Sequence, residues 1–152
     1  MAVETDTGRF TVGVFQDITW AEKGVQALRA KGIAVEALSI IGKASPEMSA
    51  FIERALGGPQ SLEIHDLGPA VGRGPLVAAL QGSDQGLTKT GLAGTMRRVG
   101  FQQHDGRIFH VLTGRGGVLV AIHSEPRAAD ALAVLHSYGG GNAAIGAWTG
   151  RV

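Results

Sequence analysis

No cysteine occurs in the sequence. That excludes a disulfide scaffold, a thiolate nucleophile and any zinc site that needs sulfur ligands. Charge of one sign is missing too: 14 Lys and Arg against 13 Asp and Glu leave a formal net charge of +1. Such a balance offers no long-range field for nucleic acid or an anionic membrane, so neither is expected as a partner. Aromatic residues make up only 5% of the chain. No apolar run approaches the roughly 18 residues of a membrane span, so no stable membrane insertion is expected. The opening MAVETDTGRF has neither the basic start nor the apolar stretch of a secretory signal, and a cytoplasmic protein is the expectation.

What the chain has in excess is glycine, 24 among 152 residues and about twice the usual share. Apolar residues are interleaved with it, so the glycines mark turns and close packing. The length suits one domain over 1–152 with a single sizeable core.

Two stretches, Val12 to Gly32 and Leu119 to Gly139, align without a gap, and each reads strand, turn, helix, glycine stop. In the first, Phe10 to Phe15 is rich in β-formers and leads through Gln16 and Asp17 into a helix. Asp17 or Thr19 can cap that helix, Thr19 and Glu22 having the spacing of a capping box. Ala21, Gly24, Val25 and Leu28 share one face, Gly32 ends the helix, and Val35 to Ile41 reads as a second strand. In the second copy LVAI leads through His123 and Ser124 to a helix whose buried face is Ala128, Ala131, Leu132 and Leu135. Ala143 to Trp148 supplies a last strand.

Between the copies, Ser45, Pro46 and Glu47 open a helix with Met48, Phe51, Ile52 and Ala55 on its apolar side. Leu62, Ile64 and Leu67 alternate as a short strand or extended segment. The pairs Gly68-Pro69 and Gly74-Pro75 then read as turns. Helices are expected over Pro75 to Leu80, Leu87 to Val99 and about Gln102 to Thr113, with QGSDQGLTKT as a solvent loop.

The resulting fold class is α+β, a ferredoxin-like βαββαβ arrangement formed by a duplicated βαβ unit. Its parts are a loose N-terminus at 1–8, a first unit at 9–42, a mainly helical insertion between the two halves at 45–116 and a second unit at 117–149. Helices on one side leave the second face of such a sheet wet. The insertion, a partner subunit or both must cover it, and a homodimer or higher homo-oligomer is the expected outcome.

The order GVF-x-D before a helix, the strand VEALSIIG, then GPAVGRGPLVAAL, GLAGTMRRVGF and GGVLVAIHSEPRAADALAVL resembles bacterial general-stress proteins of the heat-induced, YflT-like type. The resemblance runs from about Phe10 to Gly139. It implies a stress-associated, non-enzymatic protein and supplies no catalytic residues; together with the open sheet and the small residues available for close helix contact, it leads to the expectation of a protein that acts through self-association or a protein partner. Where that family carries a long apolar glycine-rich segment, Asp84, Lys89, Arg97 and Arg98 interrupt this chain.

Candidate sites are few, and no catalytic residue and no cofactor is assigned. His65, His104, His110 and His123 are the candidate metal ligands; ordinary surface or hydrogen-bonded histidines are the competing reading. His104 and His110 are spaced so that a helix sets them about 120° apart, which suits joint ligation poorly. His123 occupies the position of Gln16 in the repeat. Gln16, Asp17 and His123 therefore stand just before helix N-termini, where free amides attract anions, although Asp17 can satisfy such amides itself.

Arg73 in Gly72-Arg73-Gly74-Pro75 and Arg115 in Gly114-Arg115-Gly116-Gly117 are candidates for a phosphate cradle, against plain turn geometry. Neither run is a P-loop, because no Gly-Lys-Ser/Thr follows. Trp20 and Trp148 suit an interface or the rim of a core. Two further readings stand beside the stress-protein reading. One is a small-molecule- or metal-binding α+β protein, as in a dimeric-barrel enzyme, with a histidine-lined cleft. The other is an effector-binding regulatory domain using Gly13, Gln16 and Asp17.

Overall fold

The computed structural model describes residues 10–99, 101, 103–123, 133–134 and 149–151. Strand β1 (Phe10–Phe15) is buried along its whole length. Asp17 follows in extended backbone and accepts the Trp20 N–H at 2.9 Å, which starts α1 (Ile18–Ala30). The cap is thus Asp17 and not Thr19. Helix α1 stops in a Schellman motif: Gly32 at φ +92° donates to the Arg29 carbonyl, and Ile33 donates to that of Leu28. Ile33 and Leu28 pack in the same core.

A 3₁₀ turn over Val35–Ala37 precedes β2 (Leu38–Lys43), so the second strand begins later than the apolar pattern suggests. Helix α2 (Pro46–Ala55) opens as its sequence dictates, with the Ser45 hydroxyl accepting from the Met48 N–H at 3.0 Å and Pro46 in the first turn.

Strands β3 (Gln60–Ile64) and β4 (Gly68–Arg73) form a hairpin where the glycine-proline pairs read as turns. Strand β4 tolerates Pro69 because the ladder with β2 runs only from Ala70 to Arg73, leaving no amide of Pro69 needed there. The rest of the insertion is α3 (Pro75–Gln81), α4 (Gly86–Lys89), α5 (Leu92–Thr95), a 3₁₀ turn at Met96–Val99 and α6 (Gln103–Gly114). The single helix expected over Leu87 to Val99 is broken at Gly91, which takes φ +96°. A side chain there would start 2.9 Å from the His65 carbonyl oxygen.

Strands β5 (Val118–His123) and β6 (Thr149–Arg151) complete an α+β fold with a six-stranded antiparallel sheet, ordered β3-β4-β2-β5-β1-β6. The helix expected to bury Ala128, Ala131, Leu132 and Leu135, apart from Ala133 and Val134, and the strand expected over Ala143 to Trp148 lie outside the described residues.

Both sheet faces are buried, by different parts of the chain. Phe15, Leu38, Ile40, Val118, Val120 and Ile122 pack with α1, α2 and Val134. Phe10, Val12, Val14, Ile41, Leu119 and Ala121 pack against residues of α3 to α6. Burial on both sides explains why β1 and β5 read as near-continuous apolar runs instead of alternating. It also answers the wet-face problem: the insertion supplies the cover, so the sheet face gives no reason for a second subunit. Among the described residues no helix is long and apolar enough to cross a membrane.

Candidate functional site

The strand-end site does not assemble as one place. In the β1–β5 ladder Phe10 faces His123 and Phe15 faces Val118. Gln16 and His123 therefore sit at opposite ends of that pair, about 20 Å apart along the strands. Gln16 and Asp17 are exposed, and the Asp17 carboxylate is already spent on the Trp20 amide of α1. His123 is half-buried and stacks on Phe10, with ring centroids 4.6 Å apart and planes 24° from parallel.

Neither glycine-arginine run forms a free anion cradle. At the end of α6 the Gly116 N–H donates to Thr113 and the Gly117 N–H to Leu112, a second Schellman motif. Lys43 adds its ammonium to the Gly114 carbonyl at 3.3 Å, a cation on the negative end of the helix. The amides that a phosphate would need are thus turned into the helix, and Arg115 is exposed beside them. Arg73 donates to the Gly58 carbonyl at 2.8 Å and ties the end of β4 to the turn before β3.

The four candidate histidines stand in three places. His65 lies in the β3–β4 turn with Nε2 3.6 Å from Asp66, both exposed. His104 and His110 lie on α6, His104 exposed and His110 with a buried Nδ1 that has no hydrogen-bond partner among the described residues. His123 is on β5. Among the described residues no three His, Asp or Glu side chains group as a metal ion would need.

Among the described residues two side chains titrate away from their ordinary values. Arg98 clamps Asp84 with two bonds, 2.9 and 2.6 Å, and also donates to the Leu80 carbonyl at the end of α3. Its hydrogen bonds hold the Asp84 carboxyl below 3.8, the ordinary value, against partial desolvation, and Asp84 raises Arg98 in turn. What reads as a solvent loop in the sequence is therefore tied down. The sign follows from the lowered carboxyl: its stabilisation is present above the unfolded-state pKa and is lost as pH falls through the folded one. Melting curves from pH 2 to 7 should show Asp84→Asn less stable than the parent near neutrality. The difference should close below about pH 3.8 and shrink in high salt.

A cleft of about 360 Å³ lies between α1 and α2, lined by Glu22, Val25, Gln26, Arg29, Phe51, Arg54 and Ala55. Spacing along α1 puts Glu22, Gln26 and Arg29 on one flank, one helical turn apart. The Arg54 guanidinium reaches across from α2 to both oxygens of Glu22, at 3.3 Å each, and lies 6.0 Å from the centre of the Phe51 ring. Val25 and Phe51 are buried and make the floor. Arg29 is exposed, and its guanidinium has no partner among the described residues. The sequence reading missed this cleft because it assigned Glu22 to Thr19; the regular spacing of polar residues on α1 was the available signal.

On another part of α1, Trp20 is 40% exposed and carries the Lys23 ammonium 4.6 Å above its ring. No family model matches the chain, and neither a curated protein nor a solved structure does.

Proposed function

We propose that this chain is a non-enzymatic, cytoplasmic stress-response protein that acts by binding a partner protein or a second copy of itself, on a ferredoxin-like frame. Strand order supports the frame. Taken as first to fourth along the chain, β1, β2, β5 and β6 stand in the order second, third, first, fourth, with every neighbouring pair antiparallel. The hairpin β3–β4 extends that sheet at one edge. The resemblance of its motifs to those of general-stress proteins supports the stress association.

One observation carries the binding role: the solvent side of α1, which presents the exposed Trp20 with Lys23 over it. An indole left this open by a chain that buries both faces of its sheet is the residue type that anchors protein interfaces. The test is solution mass by light scattering across a concentration series, for the parent chain and for Trp20→Ala. Self-association weakened tenfold or more by Trp20→Ala is the expected result, about 1.4 kcal/mol or more at one anchor. A chain that stays monomeric at every concentration, and from which Trp20→Ala removes no cross-linked partner in cells, overturns the reading.

A small-molecule role is favoured by a separate observation, the cleft between α1 and α2. The metal role has no comparable support among the described residues.

A further inference from the structure

We infer that the solvent face of α6 docks an acidic segment of a partner protein, the segment's carboxylates on Arg107 and Arg115 and an apolar side chain of it on Val111. Helix α1, which carries Trp20, packs on the other face of the sheet, so this is a second and separate surface.

Charge is spread unevenly along the chain. Pro75 to Gly117, the stretch that forms this layer, carries five Lys or Arg, two Asp and no Glu, although the whole sequence is nearly neutral at +1. One of those acids, Asp84, is clamped by Arg98.

On α6 the imbalance becomes a face. Gly106, Phe109 and Thr113 are buried, while Arg107, Val111 and Arg115 stand on the other side at successive turns, all exposed. The Arg115 N–H still donates to the Val111 carbonyl, so the helical course holds through all three, which span about 12 Å. Val111 is 41% exposed, and it and Trp20 are the large hydrophobics left open among the described residues.

An ordinary solvated helix laces such arginines with acids three or four positions away. Around Arg107 those positions hold Gln103, His104, His110 and Val111, and before Arg115 they hold Val111 and Leu112. Asp105 is half-buried and about 160° round the helix from Arg107. Neither guanidinium has a carboxylate among the described residues. The helix dipole does not account for the pattern. It suits Arg115 and Lys43 at the C-terminal end, where Lys43 sits on the Gly114 carbonyl, but not Arg107 in the first half of α6.

The mixture selects the partner class. An open valine between two guanidinium groups has the anatomy of a protein interface, an apolar centre with a polar rim. A membrane-surface helix would turn its whole apolar side to the lipid, and that side of α6 is spent on the core. Nucleic acid would take a longer run of cations with aromatic stacking groups, and no Phe, Tyr or Trp stands on this arc. Carboxylates match guanidinium groups as planar, two-pronged acceptors. A segment with Glu or Asp one helical turn either side of a Leu or Ile meets all three residues at once.

The test is titration of the full chain, by calorimetry and by NMR shifts of α6 amides, with a synthetic helical peptide carrying Glu one turn before and one turn after a central Leu. The same peptide with Gln for Glu, phosphatidylserine vesicles and duplex DNA are the comparisons. The Glu peptide should saturate, weaken as salt rises and bind more tightly than any of the three. Arg107→Ala with Arg115→Ala should weaken it about tenfold, and Val111→Ser about fivefold. These positions are exposed, and circular dichroism checks that the variants fold. Charge reversal, Arg107→Glu with Arg115→Glu, should transfer binding to the peptide with Lys for Glu. Trp20→Ala should leave the Glu peptide bound as before, which separates this result from the fate of the Trp20 surface. Absence of saturation at millimolar peptide overturns the inference. So does equal binding of the Gln peptide, binding that ignores Val111→Ser, tighter binding to vesicles or DNA, or loss of binding in Trp20→Ala.

Discussion

Gly74→Ala is expected to cost about 2–6 kcal/mol of folding stability, more than a glycine substitution in an ordinary turn. Gly74 joins β4 to α3 with φ +118° and ψ 175°, a region of backbone space that is essentially reserved for glycine. A methyl group there would collide with the Leu38 carbonyl oxygen and with Ser39. Those atoms belong to β2, which is hydrogen-bonded between β4 and β5 and has no room to retreat. The collision reaches a cap as well. Gly74 brings no side chain to the start of α3, and the buried Ser39 hydroxyl takes that role by accepting the Leu76 N–H at 2.8 Å. Backbone strain contributes about 1–3 kcal/mol and overpacking about 1–3 kcal/mol more.

Gly116→Ala is the comparison. Gly116 also has positive φ, +100°, but nothing lies within 4 Å of the added carbon, so only the left-handed backbone cost of about 1–2 kcal/mol applies. Urea unfolding midpoints at unchanged slope measure both. Equal losses at the two sites would mean that β2 does not press on Gly74.

Gly106→Ala should reverse the sign expected from helix propensity. In the middle of a helix, replacing glycine by alanine normally gains about 0.5–1 kcal/mol. Gly106 sits on α6 where α5 crosses it, and the new carbon would lie 2.5 Å from the Ala93 carbonyl oxygen and 3.2 Å from its Cα. Backbone meets backbone, so no rotamer change relieves the contact, and the helices must separate. Separation loosens Phe109 against Phe101, an edge-on pair 5.4 Å between centroids in the core under the insertion. A net loss of about 1–3 kcal/mol is expected. Gly114→Ala, on the same helix with nothing within 4 Å, should lose nothing comparable. Chemical denaturation of the two variants decides it, and a gain in stability at Gly106 would contradict the close crossing.

Local chemistry made several elements legible in the sequence. Asp17, Ser45 with Pro46, and Gly32 mark helix ends whose cap geometry depends on neighbouring residues alone. Strand β4 was hidden for the opposite reason. Pro69, Gly72 and Gly74 are turn signals locally, yet the proline lies past the β2 ladder, and Gly72 is small because Ile40 and Val77 pack against it. The break at Gly91 likewise depends on the distant His65 carbonyl.

The same distinction separates the candidate sites. Gly114 to Gly117 looks like an anion cradle until the hydrogen bonds of α6 are traced. The cleft depends on Glu22 meeting Arg54, thirty-two positions away, which no pattern within one helix announces.

The central structural claim is that the chain closes both faces of its own sheet, the insertion serving as the second layer. Unfolding free energies of Leu119→Ala and Ile122→Ala test it most directly, because these fully buried residues of β5 face opposite layers. Each should cost about 2–5 kcal/mol, as large-to-small changes in a packed core do. A full loss at Ile122 with a change within about 0.5 kcal/mol at Leu119, the usual surface value, would contradict the account.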